Sequence, residues 1–207
     1  MDARAASDNL QVIRTLMERA ALYRRALAPI MLSAGLFGTV ASGVGLLLEL
    51  NSLPAFVLLW LGTAVGAVAF AFLLARRQAL RESEPFWSPP TRRVAQALLP
   101  SLSSGLLLGL LFLLSGAEGE LEGLLTLLWI LFYGCALHAA GFFMVRGMRL
   151  FGWLFILSAG LLFGICVLAE VNVTGIQAHL LMGVFFGLLH LLFGGYLYVT
   201  EKRKNAM

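Results

Sequence analysis

This sequence has unusually few charged side chains. They make up 13% of its 207 residues, whereas a soluble domain carries about 25%. A chain with so few polar side chains cannot cover a water-exposed globule, which excludes an ordinary soluble protein. The stretches without any Lys, Arg, Asp or Glu are 26–48, 50–75, 94–117, 123–145, 150–169 and 171–200.

Residues that carry chemistry are also scarce, with two cysteines and three histidines in the whole chain. Because the long stretches contain no acidic or basic side chain, they offer no residue for the ion relay that most ion-coupled transporters use. No nucleophile has a base beside it, and two histidines lack the further ligands that a closed zinc site needs. The sequence therefore predicts a protein that is not an enzyme, with no catalytic residue and no metal site.

The uncharged stretches themselves predict the fold. Each has the roughly 20 residues that a helix needs to cross about 30 Å of hydrocarbon. Because that layer contains no water, the backbone amides must pair within the segment, which makes each stretch a helix. We expect an all-α integral membrane bundle, a single membrane domain over residues 1–207. Its six transmembrane helices are expected at about 26–48, 53–75, 94–115, 122–145, 150–169 and 175–200.

The distribution of charge predicts the orientation of these helices. All 15 Lys and Arg residues lie in the N-terminal segment, the second and fourth connections, and the C-terminal tail. The other three connections carry acids and no basic residue. The positive-inside rule therefore puts both termini in the cytoplasm. The net charge of +4 therefore reflects the topology of the chain, and the basic residues also attract anionic lipid. We expect no nucleic-acid partner.

The segment before the first stretch has a helical pattern of its own. Asp8 and Gln11 fit a capping box, and apolar residues follow at helical spacing. Residues 8–25 are predicted to form an amphipathic surface helix on the cytoplasmic face of the membrane. A helix that binds a cytoplasmic protein partner would show the same pattern.

The second connection, "RRQALRESEPFWSPPTRR", is the only extended polar segment. Its prolines exclude a continuous helix. Phe86 and Trp87 lie between clusters of arginine that include Arg92 and Arg93, which favours an anchor at the membrane interface. A docking loop for a cytoplasmic protein is the alternative.

One stripe of the last stretch combines histidine with glycine, in "HLLMGVFFGLLHLLFGG", residues 179–195. At about 100° per residue the five positions share one face of a helix. Glycines on one face allow two membrane helices to approach closely, and a histidine there can bond a neighbouring helix. We expect a helix-packing seam made of His179, Gly183, Gly187, His190 and Gly194.

A cofactor is the alternative for two of the histidines. His138 and His190 lie on spans that run in the same direction, about 12 Å and 16 Å from the cytoplasmic boundary by helical rise. Facing helices can supply two axial histidines to a haem. Without a Cys-x-x-Cys-His motif such a haem would be a non-covalent haem b. Packing is the favoured interpretation, so no cofactor is expected.

Pairs of glycines four residues apart occur on several stretches. They offer more seams for close packing than six helices evidently need, which motivates a homodimer hypothesis. The pairs are Gly62 with Gly66, Gly105 with Gly109, Gly160 with Gly164, and Gly183 with Gly187.

Several strings resemble an uncharacterised family of small multi-span bacterial membrane proteins. They are "DNLQVIRTLMERAALYRRALAPIM", "SEPFWSPPTRRVAQALLP", "YGCALHAAGFFMVRGMRLFGW" and "YLYVTEKRKN". The resemblance implies a multi-pass protein of the bacterial inner membrane, and it implies no activity, cofactor or site residue.

Two functions from different classes fit these features. The first is a non-enzymatic bundle that binds lipid or a protein partner through its cytoplasmic face, where most of the polar sequence is expected. The second is a small transporter or channel for an apolar or weakly polar solute. That function needs a continuous polar path through the bundle, and the sequence shows none.

Overall fold

The structure, a computed structural model, describes residues 26–81, 83, 86–116 and 121–205. This part of the chain is helical and contains no strand. The predicted surface helix, residues 8–25, lies outside the described residues. The helices are α1 (Ala26–Leu47), α2 (Leu53–Arg81), α3 (Pro89–Leu114), α4 (Glu122–Ala140), α5 (Arg146–Ala169), α6 (Gly175–Met182) and α7 (Leu189–Asn205), with a π-helical turn (Gly183–Leu188) joining the last two without a break.

The prediction of six apolar helices is confirmed in the described part of the chain. Six helices there are long and apolar enough to cross a membrane, and α6, the π-helical turn and α7 count as one of them. Short connections join successive helices, which is typical of antiparallel neighbours in a bundle. The third helix begins at Pro89, five residues before the predicted position, because proline is favoured in the first helical turn.

Helix α4 is the centre of the bundle. In its most apolar window 56% of the residues are buried, whereas the figure is 11% for both α2 and α3. The sequence of α4 explains this position, because apolar or small residues cover every face between Glu122 and His138. A helix without a polar face can be surrounded by other helices.

Two clusters of buried side chains lie on either side of a midpoint along α4. One joins α4 to α1, α5 and the π-helical turn, and Phe155 and Ile130 are completely buried in it. The other joins the beginning of α4 to α1, α2 and α6 around Phe56, which is also completely buried. The α1 and α6–α7 helices contribute to both clusters, so they form the central layer together with α4.

Helix α4 ends earlier than the sequence suggested. The expected span reached residue 145, but the helix ends at Ala140, and residues 141–145 reverse the chain into α5. Gly141 is required at this reversal, since a Cβ there would lie 2.7 Å from the backbone nitrogen of Arg149. His138 therefore lies in the last turn of α4 rather than about two turns inside it.

Candidate functional site

Helix α1 packs directly against α6, the π-helical turn and α7. A Cβ added at Gly187 would lie 2.7 Å from Thr39 Oγ1 and 3.0 Å from the Thr39 backbone nitrogen. Small residues thus allow these two backbones to approach closely, as in other membrane-type helix pairs. The facing positions are Leu32 with Gly194, Thr39 with Gly187, Ser42 with Gly183, and Gly45 with His179.

The seam uses glycines from both helices. A Cβ at Gly35 would lie 2.7 Å from the backbone nitrogen of Leu191, and one at Gly38 would meet the backbone of Phe186. The predicted seam contained only glycines of the last helix and did not include these two. Their signal is visible in "AGLFGTVASGVG", where small residues recur every three or four positions.

His179 is the hydrogen-bonding centre of this seam. It is completely buried, and both ring nitrogens have partners: Trp60 Nε1 donates to Nδ1 at 3.1 Å, and Nε2 lies 3.0 Å from the Leu50 carbonyl. Because a carbonyl can only accept, Nε2 carries the proton and Nδ1 accepts. Ser42 Oγ also donates to the His179 carbonyl at 2.8 Å. One residue thereby joins α6 to α1, to α2 and to the connection between them.

The π-helical turn changes where the following residues point. The Leu189 N–H donates to the Val184 carbonyl, five residues back, instead of four. A π turn takes more residues than an α turn, so each later side chain is rotated relative to a straight helix. As a result Leu191, and not His190, lies at Gly35 on the α1 seam.

His190 contacts other helices than the sequence suggested. Its Nδ1 donates to the Phe185 carbonyl at 2.8 Å, and Tyr133 on α4 donates its hydroxyl to Nε2 at 2.7 Å. The ring packs edge-on against Phe151 and Phe155 of α5. His179, Gly183, Gly187 and Gly194 thus share the α1 seam, whereas the π-helical turn directs His190 to α4 and α5.

Tyr133 and Trp60 are the partners that sequence reasoning missed. Each is an aromatic residue with a polar tip in an otherwise uncharged stretch. A buried Tyr or Trp of this kind usually has a hydrogen-bond partner, so the sequence does indicate that each of them forms a hydrogen bond. Nothing in the sequence indicates which histidine each of them would meet.

His138 differs from the other two histidines. It is half-buried in the last turn of α4, with its ring beside Phe142 at 5.3 Å and Trp153 at 5.1 Å between ring centroids. Its Nδ1 is buried and has no hydrogen-bond partner among the described residues. His138 and His190 have no ring neighbour in common.

The haem alternative does not fit this arrangement. A haem iron needs a free lone pair on an imidazole nitrogen. At His190 one nitrogen carries the proton that bonds Phe185, and the lone pair of the other accepts from Tyr133. The His138 ring lies at the end of α4, so the two histidines do not face a common space. No group of three His, Cys, Asp or Glu residues that could hold a metal ion occurs in the described part of the chain.

The connection between α2 and α3 is anchored by one aromatic ring and presents another. Phe86 packs edge-on against Phe72 of α2, with 4.6 Å between ring centroids. Thr91 Oγ1 donates a hydrogen bond to the Phe86 carbonyl at 2.9 Å and accepts one from Ser88 Oγ. Trp87, in contrast, is 58% exposed. The fixed Phe86 therefore holds the Trp87 ring at the surface.

Exposed arginines flank Trp87 in the sequence. None of them forms an ion pair with another described residue. We define the arginine loop as Phe86, Trp87 and these arginines, namely Arg76, Arg77, Arg81, Arg92 and Arg93.

Two of the four glycine pairs that motivate a homodimer are used inside the bundle. Gly183 and Gly187 face α1, and a Cβ at Gly109 would lie 2.8 Å from the Trp129 ring. Gly62 has open space beside it, and Gly160 and Gly164 form the one pair of the four in which both positions face open space within the described structure. Internal packing thus accounts for half of these pairs.

No family model, curated protein or solved structure matches this chain. The resemblance to small bacterial membrane proteins therefore stays a prediction. The geometry of the residues themselves is the basis for assigning a function.

Proposed function

We propose that this chain is a non-enzymatic, multi-pass protein of the bacterial inner membrane whose arginine loop binds anionic lipid at the cytoplasmic surface. The observation that carries the proposal is an exposed Trp87 ring on a connection flanked by five exposed arginines. An indole ring is stable at the level of the lipid headgroups, and arginine binds phosphate through two parallel N–H groups.

The apolar surface of the helices supports insertion in a bilayer. Leu47, Leu114 and Leu168 are each more than 80% exposed. In water such side chains would make the folded bundle insoluble, since large exposed apolar patches mark contact sites for protein or membrane. Lipid chains would cover them without any further protein.

The charges at the two ends of the bundle support the orientation. Glu49, Glu122 and Glu170 lie at the helix ends opposite to the arginine loop, whereas Arg146 and Arg149, and Glu201 on α7, lie at the same end as the loop. The positive-inside rule assigns the arginine-rich end to the cytoplasm. That surface is the one where a bilayer carries anionic lipid.

Energy transfer to labelled lipid tests the proposal. A donor dye is attached at Ser83→Cys, in a chain whose two native cysteines are alanine, reconstituted in neutral vesicles. A trace of acceptor-labelled phosphatidylglycerol or phosphatidylcholine is then added. We expect more transfer to the anionic lipid, an excess that salt removes because exposed charges are screened.

Variants of the loop make the test specific. Each arginine near the membrane surface contributes about 1 kcal/mol, so Arg92→Gln with Arg93→Gln should weaken the preference roughly tenfold or more. Arg146→Gln, which removes an exposed arginine outside the loop, should leave most of it. Equal transfer to both lipids would overturn the proposal. A protein that co-purifies with the wild type, and not with the double variant, would assign the loop to a protein partner instead.

A further inference from the structure

The junction of α4 and α5 brings together a histidine, two aromatic rings and an arginine. The Phe142 ring lies 5.3 Å from the His138 ring and 5.1 Å from Arg149 Cζ, so it contacts both nitrogen-bearing side chains. Trp153 packs against the other side of His138, with 5.1 Å between ring centroids. We define this group of four residues as the junction cluster.

The backbone holds the junction cluster in place. A Cβ at Gly152 would lie 2.5 Å from the His138 backbone nitrogen, and a Cβ at Gly141 would lie equally close to Arg149 Cγ. Helices α4 and α5 are thus in direct backbone contact at both positions. The separation between His138 and Arg149 is fixed by packing and not by a flexible loop.

His138 is the only histidine of the three whose polar atoms are left unsatisfied. The ring nitrogens of His179 and His190 all have partners, whereas His138 Nδ1 is buried and has none among the described residues. A buried nitrogen without a partner is unfavourable. Because the ring is only half-buried, an external acceptor could bond one of its nitrogens.

The charge and the neighbouring surface indicate what that acceptor is. Arg149 forms no ion pair with a described residue, and the acids of the two helices at the junction, Glu122 and Glu170, lie at the far ends of α4 and α5. A phosphate group can accept hydrogen bonds from both a guanidinium and an imidazole. Next to the cluster, exposed apolar side chains continue along α5: Leu150, Leu154, Leu157 and Leu161.

We propose that the junction cluster binds the phosphate group of a single anionic phospholipid, with its acyl chains along the exposed leucines of α5. The inference rests on the proposed membrane location but not on the arginine loop, which lies on α2 and α3. Free phosphate shares the headgroup chemistry, yet it would make no use of the apolar surface beside the cluster. The lipid is therefore the occupant that accounts for both features.

Native mass spectrometry of the full chain tests this site. The protein is stripped of lipid in a neutral detergent and titrated with phosphatidylglycerol. We expect one bound lipid of higher affinity than the rest. Arg149→Gln should weaken that first binding step about tenfold or more, because it removes charge-assisted hydrogen bonds. Arg149→Lys keeps the charge without the planar fork and should fall in between.

Three further variants show whether the lipid binds at the junction cluster itself. His138→Phe keeps an aromatic ring between Phe142 and Trp153 but has no nitrogen, so it should fold normally and lose the first lipid. The Arg92→Gln, Arg93→Gln variant should retain that lipid, which distinguishes this site from the arginine loop. Arg146→Gln should also retain it.

Two outcomes would overturn the inference. One is a first binding step unchanged in both Arg149→Gln and His138→Phe. The other is displacement of the lipid by inorganic phosphate at equal concentration, which would show that the headgroup chemistry alone decides binding. If the wild-type chain shows no preference for anionic lipid in the energy-transfer assay while the junction step is intact, only the proposed loop function is rejected.

Discussion

Trp60 and His179 are joined by a hydrogen bond from the indole nitrogen to Nδ1, 3.1 Å long and buried between α2 and α6. The same imidazole bonds the Leu50 carbonyl through Nε2. The two bonds use every polar atom of the ring. They fix α6 to the first helical hairpin at a completely buried side chain.

A double-mutant cycle measures the Trp60–His179 bond. Trp60→Phe and His179→Phe should each lower the free energy of unfolding, and the double variant should lose less than the sum. Hydrogen bonds in membrane bundles average about 0.6 kcal/mol and reach about 1.7 kcal/mol, which is the range of coupling expected. Trp153→Phe is the control, since Trp153 packs on His138 and should combine additively with His179→Phe. Additivity for the Trp60 pair would contradict the bond.

Alanine in place of a glycine should destabilise the bundle only where a neighbouring helix leaves no space for a Cβ. Gly187→Ala places a Cβ 2.7 Å from Thr39 Oγ1, whereas nothing lies within 4 Å of a Cβ at Gly160. We expect Gly187→Ala to lower the midpoint of thermal unfolding in detergent. Gly160→Ala should leave it unchanged or raise it slightly, because alanine has the higher helix propensity by about 1 kcal/mol. Equal effects would show that α1 does not pack on this face.

Two buried hydroxyl groups should respond in opposite directions to removal. Thr126 is completely buried and its hydroxyl has no partner among the described residues, whereas Ser42 Oγ donates to the His179 carbonyl at 2.8 Å. Thr126→Val keeps the shape and removes an unpaired polar atom, so it should be neutral or stabilise by up to about 1 kcal/mol. Ser42→Ala should destabilise by a similar amount. Denaturant unfolding of both variants checks the pair.

Cysteine accessibility tests the orientation. In a chain with Cys135 and Cys166 replaced by alanine, Ser83→Cys and Val171→Cys lie on the second and the fifth connection. In intact cells an impermeant thiol reagent should label residue 171 and reach residue 83 only after the inner membrane is opened. Labelling of both positions from one side would reject the proposed topology.

The absorption spectrum of the purified protein provides a further check. Both nitrogens of His190 are engaged with Phe185 and Tyr133, so we expect no Soret band even after expression with added haem. A band lost in both His138→Ala and His190→Ala, but kept in His179→Ala, would reverse this conclusion.

The sequence was sufficient for the number of helices and insufficient for what their side chains meet. The length and hydrophobicity of each uncharged stretch can be read directly from the sequence, and these two properties decide whether a segment forms a membrane-type helix. The end of α4 at Ala140 could not be read in this way, because Gly141 and Phe142 are as apolar as the helix before them. Only the close contact between Gly141 and Arg149 reveals the reversal.

The π-helical turn limited the prediction of the seam. A straight helix places His190 beside Gly187, and the five-residue bond from Leu189 to Val184 removes that register. Nothing in "GVFFGL" distinguishes a π turn from an α turn by composition. Gly183, Gly187 and Gly194 nevertheless all face α1.

The contact between α1 and the last helix has a consequence for the order of assembly. Ser42 and His179 are 137 positions apart, so α1, which is synthesised well before α6, must wait for it before its glycine face is covered. Until then Gly35, Gly38 and Gly45 remain open to lipid or to another helix. The segment from Gly175 onwards thus covers this face, and a product that stops before residue 175 leaves α1 without that neighbour.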